Sequence, residues 1–249
     1  MRSRRPSALY GLAGMVLFLC AWQAIGYWKL AGASVPAIGA VAAVYAEPWK
    51  LALLGRAAAA TLSSAAVGLS VGAGLGTCVA VLAHMLAPMR TGLDRLSVAI
   101  NAVPAVALAP ILIVTVGRDW TPATLAAIPV FFLMYVTVSS GLRGVNARLS
   151  DLFAILGAGR VKRMIFLEGP AALPAWIGGL RIAVSAAIVG TIVGEWFGAS
   201  TGLGIVILNT MLNFQMPLMW AAVILTAAAS LTAYAVLGAL EGVARRNFS

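Results

Sequence analysis

Few residues in this chain could do chemistry. Seven acids, one histidine and two cysteines stand among 249 residues. A metal centre needs several His, Cys or carboxylate ligands converging on one point, and a lone His84 with scattered acids does not offer that. Cys20 and Cys78 both lie inside apolar runs. They read as small apolar filler and not as a disulfide framework. One carboxylate stands apart. Glu195 sits between Gly194 and Trp196 near the end of an apolar run, and an ionisable group at membrane depth is a functional candidate by default. The alternative is structural: an interfacial anchor, or an acceptor for a backbone amide. Farther on, Asn209 and Asn213 stand four apart, so on a helix they share a face that could look into a vestibule.

A different chemistry, docking, belongs to the stretch 150–174, SDLFAILGAGRVKRMIFLEGPAALP. Ser150 is the expected N-cap, with Asp151 in the first turn, where a carboxylate meets the positive end of the helix dipole. Leu152, Phe153 and Leu156 then share one side. Gly157 can take the left-handed conformation that ends a helix. A basic run with Arg160, Lys162 and Arg163 follows. An apolar knob outside the bilayer calls for a partner to cover it. The competing reading lays this helix on the membrane surface, with its basic residues toward lipid headgroups.

The elements that must position these residues are membrane helices. The chain is 62% hydrophobic and 10% charged, with a mean hydropathy of +0.99, against about 45–50% apolar and about 25% charged for a soluble domain. Several apolar runs exceed the roughly 20 residues that cross a bilayer as a helix. The reading is an all-α integral membrane protein of one domain, with spans near 8–28, 57–83, 96–116, 121–142, 175–195 and 218–240. The first run resembles a signal peptide, but its apolar core is too long, so it reads as an uncleaved span over 1–30. Between them, 32–56 reads as an external segment with a short interfacial helix, 84–95 as a short polar turn, and 194–217 as an irregular or re-entrant segment. Small residues recur every four along the second span, at Ala60, Ser64, Gly68, Gly72, Gly76 and Ala80. Such a stripe lets a neighbouring helix approach closely.

Pro104 and Pro110 predict a kink or break in the third span, and broken membrane helices tend to line cavities. Thr121 is the expected cap of the fourth span, with Pro122 at its first position. Arg181 lies about a turn and a half into the fifth span, close enough to snorkel to the face of the 143–174 loop. Thirteen of the seventeen basic residues fall on the side of the 143–174 loop, which puts that loop and both termini in the cytoplasm. The net charge of +10 is thereby explained by topology, with no nucleic acid involved. A membrane-embedded enzyme would need clustered acids or histidines inside the spans, where only Glu195 is available. No internal repeat supports an ATPase-independent secondary transporter.

The order D-L-F-x-x-L-G-A, eight residues, then L-E-G-P-A-A-L-P resembles the EAA loop of ABC importer permeases. Asp151 stands at the acidic position, usually Glu, and Leu152-Phe153 replace Ala-Ala. Leu156-Gly157 match the Leu-Gly, and 170–174 resemble the exit. Gly179-Leu180-Arg181, Gly194-Glu195-Trp196, Gly202-Leu203-Gly204 and the pairs Val103-Pro104 and Ala109-Pro110 resemble the nitrate/sulfonate/taurine branch. The resemblance covers about 55–207. It implies a type I importer permease fold, with a core bundle over 55–242 and a coupling loop over 143–174. It further implies a multi-pass cell-membrane protein in which two such chains form the pathway. Cytoplasmic ATP-binding subunits would grip Asp151, Leu152, Phe153, Leu156, Gly157 and Arg160, and an external solute-binding protein would deliver a small solute such as a sulfonate, taurine or nitrate. A neutral vitamin or pyrimidine precursor is the alternative cargo. Pro104, Pro110, Glu195, Trp196, Asn209 and Asn213 are the pathway candidates. The chain has no G-x-x-x-x-G-K-[ST] run, so no cofactor is expected in it, and ATP with Mg²⁺ would belong to the partner.

Overall fold

Long apolar runs leave the backbone one way to satisfy its amides in lipid short of a closed barrel, and that is the helix. The computed structural model describes residues 5–248, with side chains from 10 to 243. Arg2 and Arg4, counted above on the loop side, lie outside the described residues, as do the side chains of Arg5, Arg245 and Arg246. The helices are α1 (Arg5–Tyr27), α2 (Ile38–Ala46), α3 (Pro48–Met85), α4 (Ala87–Ala102), α5 (Ala105–Thr115), α6 (Thr121–Arg143), α7 (Ala147–Ile155), α8 (Arg160–Arg163), α9 (Gly169–Trp196), α10 (Leu203–Leu212) and α11 (Met216–Phe248). A π-helical turn, Met164–Glu168, joins α8 to α9. Among the described residues five helices are long and apolar enough to cross a membrane, and six if the bent pair α4–α5 counts as one span.

The short interfacial helix expected in 32–56 is α2, but the segment from Pro48 onward belongs to α3, which runs for 38 residues. Pro48 stands at its first position, where the missing N–H is no loss and the fixed φ suits a helix. The expected polar turn at 84–95 is also helical: α3 continues through His84, and α4 restarts with Pro88 in its first turn. The third span breaks where Pro104 demands it. Val103 is extended at φ −76°, ψ 123°, and the axes of α4 and α5 differ by 93°. Pro110 is accommodated inside α5. Trp120 and not Thr121 is the N-cap of α6. Gly117, at φ +84°, turns the chain so that the Thr121 hydroxyl donates back to the Gly117 carbonyl over 2.8 Å.

The core is α6 held between α3 and α9. The small-residue stripe of α3 makes that approach possible. A Cβ on Gly68, Gly72 or Gly76 would stand 2.6, 2.5 and 2.5 Å from the carbonyls of Ala123, Ala127 and Phe131. On the other side, a Cβ on Gly190 would stand 2.8 Å from the Leu125 carbonyl. Leu125, Val130 and Met134 are fully buried between the two flanks. A second cluster closes the α10 end of the bundle, where Val41, Val44, Leu54, Leu203 and Leu218 are buried together. The Tyr45 hydroxyl donates to the Ala221 carbonyl over 2.7 Å there. Arg181 turns inward: Nη1 donates to Glu241 over 3.1 Å, and the guanidinium lies 4.2 Å over the Tyr234 ring.

Candidate functional site

The chain presents two candidate surfaces at opposite ends of the bundle. At one end is α7. Its N-cap is Asn146, whose side chain accepts from Arg148 N over 3.0 Å. The expected cap, Ser150, therefore lies inside the helix, and Asp151 is beyond the first turn. Both residue types cap well, and the earlier one wins by adding a turn. Leu156 is the C-cap and Gly157 follows at φ +69°, as expected. Gly157 N donates to the Ala154 carbonyl and Ala158 N to that of Phe153, at 3.0 and 2.9 Å. These are the two bonds of a Schellman ending.

No residue of α7 is buried. Leu152 and Leu156 are exposed as expected, whereas Phe153 is half-buried. The most exposed apolar side chain of α7 is Ile155, at 83%. Leu149 extends the knob by a turn and follows from a helix that begins after Asn146, while Ile155 widens it within the span already expected. Arg160 bends back, and its Nη1 donates to the Met85 carbonyl at the end of α3 over 3.2 Å.

At the opposite end a cavity of about 600 Å³ opens between the start of α3 and α10. Trp49, Arg56, Ser200, Asn209, Asn213 and Gln215 supply its polar and aromatic wall. Trp49, Leu53 and Arg56 stand four and three apart on α3 and so share a face. That face was legible once the helix was taken to start at Pro48. Asn209 and Asn213 do meet at this wall, and Asn213 Nδ2 donates to the Asn209 carbonyl over 2.7 Å. Arg56 has no acid partner among the described residues.

Glu195 stands behind this wall and is 1% exposed. Its Oε1 accepts from the Thr61 hydroxyl over 2.7 Å and its Oε2 from Gly204 N over 2.6 Å. The Thr61 oxygen in turn accepts from Leu203 N over 2.8 Å. The first two amides of α10 are thus satisfied by side chains from α9 and α3, in place of a local cap. Gly202 allows this at φ +142°, since a Cβ there would run into the Glu195 carboxylate. The geometry gives Glu195 the backbone-amide role. Trp196, Pro104 and Pro110 are exposed and none of them lines the cavity. Sequence reasoning counted Glu195 as the one acid inside the spans, yet Glu168 and Glu241 also fall within the spanning helices and are buried. Both sit within a few residues of a basic run, which disguised them as loop charges.

Residues 68–246 match the family described as binding-protein-dependent transport system inner membrane component. The chain belongs to this family. The formylaminopyrimidine transport permease protein ThiX of Halalkalibacterium halodurans is 32% identical over 187 residues, 74% of each chain. The riboflavin transport system permease protein RibX of Chloroflexus aurantiacus is 30% identical over 232 residues, 91% of this chain and 85% of that one. A Bacillus subtilis permease named for aliphatic sulfonates transport, SsuC, is 28% identical over 226 residues, 90% and 82% of the two chains. The protein is therefore an ABC transporter permease, a multi-pass membrane subunit with the all-helical fold expected from its loop.

Proposed function

We propose that this permease is one half of an importer pathway for a small organic solute. A second copy completes the pathway. An ATPase subunit, which binds ATP and Mg²⁺, grips the α7 knob from the cytoplasm. A solute-binding protein delivers cargo at the α10 end. The orientation follows from the basic residues: Arg90, Arg95, Arg143, Arg148, Arg160, Lys162 and Arg163 all belong to the α7 end, and basic loops stay cytoplasmic.

The cargo reading rests on Arg56, a cation in the cavity wall with no acid partner among the described residues. It suits an organic anion, a sulfonate above all, because a guanidinium offers a planar fork of donors to such oxygens. A second reading, a neutral heterocycle such as a pyrimidine precursor, draws on Trp49 and the amides of Asn209 and Gln215 in the same wall and on the kinship with ThiX. Uptake into proteoliposomes carrying the full transporter separates the two. Loss of a charge-assisted hydrogen bond, about 1.5–3 kcal/mol, makes Arg56→Gln cut taurine uptake by about tenfold or more. Robust formylaminopyrimidine uptake that Arg56→Gln leaves intact, with no taurine uptake by the parent, selects the heterocycle.

A further inference from the structure

No residue of α7 is buried, so a push on its knob leaves through the backbone at both ends, into α6 and, on the C-terminal side, by a second route. That route passes Gly157 and Gly159 into a nearly continuous helix: α8, the π-helical turn and α9 together form one apolar span, Arg160–Trp196. Unless the base of α9 is tied to α3, motion of the loop reaches the near end of α3 only through α6.

That tie exists. Glu168, last residue of the π turn, is 6% exposed. Its Oε1 accepts from Arg163 Nη2 over 2.8 Å, and its Oε2 lies 2.9 Å from His84 Nε2. A carboxylate can only accept, so the imidazole hydrogen lies on this nitrogen. His84 belongs to the last turn of α3. One turn below, Arg160 donates to the Met85 carbonyl, one of the four that a helix end leaves without an intrahelical partner. The bases of α3 and α9 are therefore fastened twice, once through a buried carboxylate and once through a guanidinium from the loop itself.

The backbone is shaped for the fastening. A π turn holds one more residue than an α turn; such turns are rare and are frequently found at functional sites. Here it shifts the register by one residue immediately before α9. Gly169 follows it, where a Cβ would stand 2.8 Å from the Met164 carbonyl. At its far end α3 carries Trp49 and Arg56 into the cavity wall. Thr61, one turn farther in, holds Glu195 and Leu203. A single 38-residue helix thus runs from the fastening to the cavity.

We propose that the His84–Glu168–Arg163 cluster is a second coupling joint, which makes α3 move with the loop and so carries the motor stroke to the outer cavity. The inference rests on the reading of α7 as the docking helix. Coupling through rigid elements of this kind acts by shifting packed helices an ångström or two, so a fluorophore at the cavity mouth would report it. His84, Glu168 and Arg163 are positioning residues: they touch neither solute nor ATP.

The test uses the full permease–ATPase complex in nanodiscs, with Cys20 and Cys78 replaced by Ala and a fluorophore on Ser200→Cys. ATP–Mg²⁺ with vanadate is the stimulus, so no solute is needed. The parent complex changes its emission. His84→Ala loses most of that change, a drop of about threefold or more, with ATP hydrolysis retained, while His84→Gln, which keeps a donor, restores it. Glu168→Gln, of equal size, gives the same loss and replaces His84→Ala if the latter fails to assemble. An unaltered response in both His84→Ala and Glu168→Gln overturns the joint and leaves α7 docking intact. A parent complex that assembles yet shows no response overturns the docking reading together with the joint.

Discussion

At the scale of single residues, Glu195 is the clearest case of a side chain whose prominence and role differ. Its presence near the end of a span marked it in the sequence. Its role depends on Thr61, which is 134 residues away, and no local pattern reveals that partnership. A buried amide left without its acceptor costs about 1–3 kcal/mol. Glu195→Gln keeps an acceptor for Gly204 N and puts a donor opposite Thr61, whose hydroxyl hydrogen must then turn away and lose its acceptor. It is expected to lower the melting temperature of the purified permease while the apparent solute affinity stays unchanged. Thr61→Val touches the same network, so the double variant is expected to lose less than the sum of the two. A change in solute affinity without loss of stability would return Glu195 to the pathway. Arg56 is the converse: the sequence put it outside the bilayer, and only the extension of α3 back to Pro48 turned it toward a cavity.

At the scale of elements, the sequence was readable wherever a residue type allows one conformation. Gly157 ended α7 in the left-handed region, and Pro104 broke the third span. It was not readable where two residues compete for one task. Asn146 and Ser150 both cap helices, and the choice between them moved the start of α7 by a turn and brought Leu149 into the exposed face. The bend between α4 and α5 was legible as a break but its 93° was not, because a proline marks where a helix stops and not the direction in which the next one leaves. The stripe on α3 carries a prediction at this scale. Gly72→Leu would force a branched side chain against the Ala127 carbonyl and Val130. Overpacking of this kind costs about 1–3 kcal/mol or more. The variant is expected to insert yet to lose its single melting transition, whereas Gly74→Leu, at a position with open space around it, is expected to melt as the parent does. Equal melting of both variants would break the packing account.

At the scale of the whole molecule, periodicity was enough to find the five long apolar helices and the broken pair among the described residues, and charge asymmetry carries the proposed orientation. The three-helix core was not deducible, because it depends on which small residues meet across helices. The orientation can be checked in cells with Cys20 and Cys78 replaced. A membrane-impermeant maleimide is expected to label Ser200→Cys from outside and to reach Ile155→Cys only after lysis. The reverse pattern would invert the topology and remove α7 from the motor's side.

The central claim is that an ATPase drives this permease through the exposed knob of α7. Ile155→Asp tests it most directly, since Ile155 is the most exposed apolar residue of that helix and supports no packing within the chain. Removing an apolar anchor from the centre of an interface costs about 2 kcal/mol or more. The measurement is recovery of the ATPase subunit with the affinity-purified permease, paired with ATP hydrolysis stimulated by the binding protein. The account predicts that Ile155→Asp is made and inserted at the parent level, loses most of the bound ATPase subunit and loses stimulated hydrolysis by about tenfold or more. Full recovery of the ATPase subunit with undiminished stimulation would contradict it.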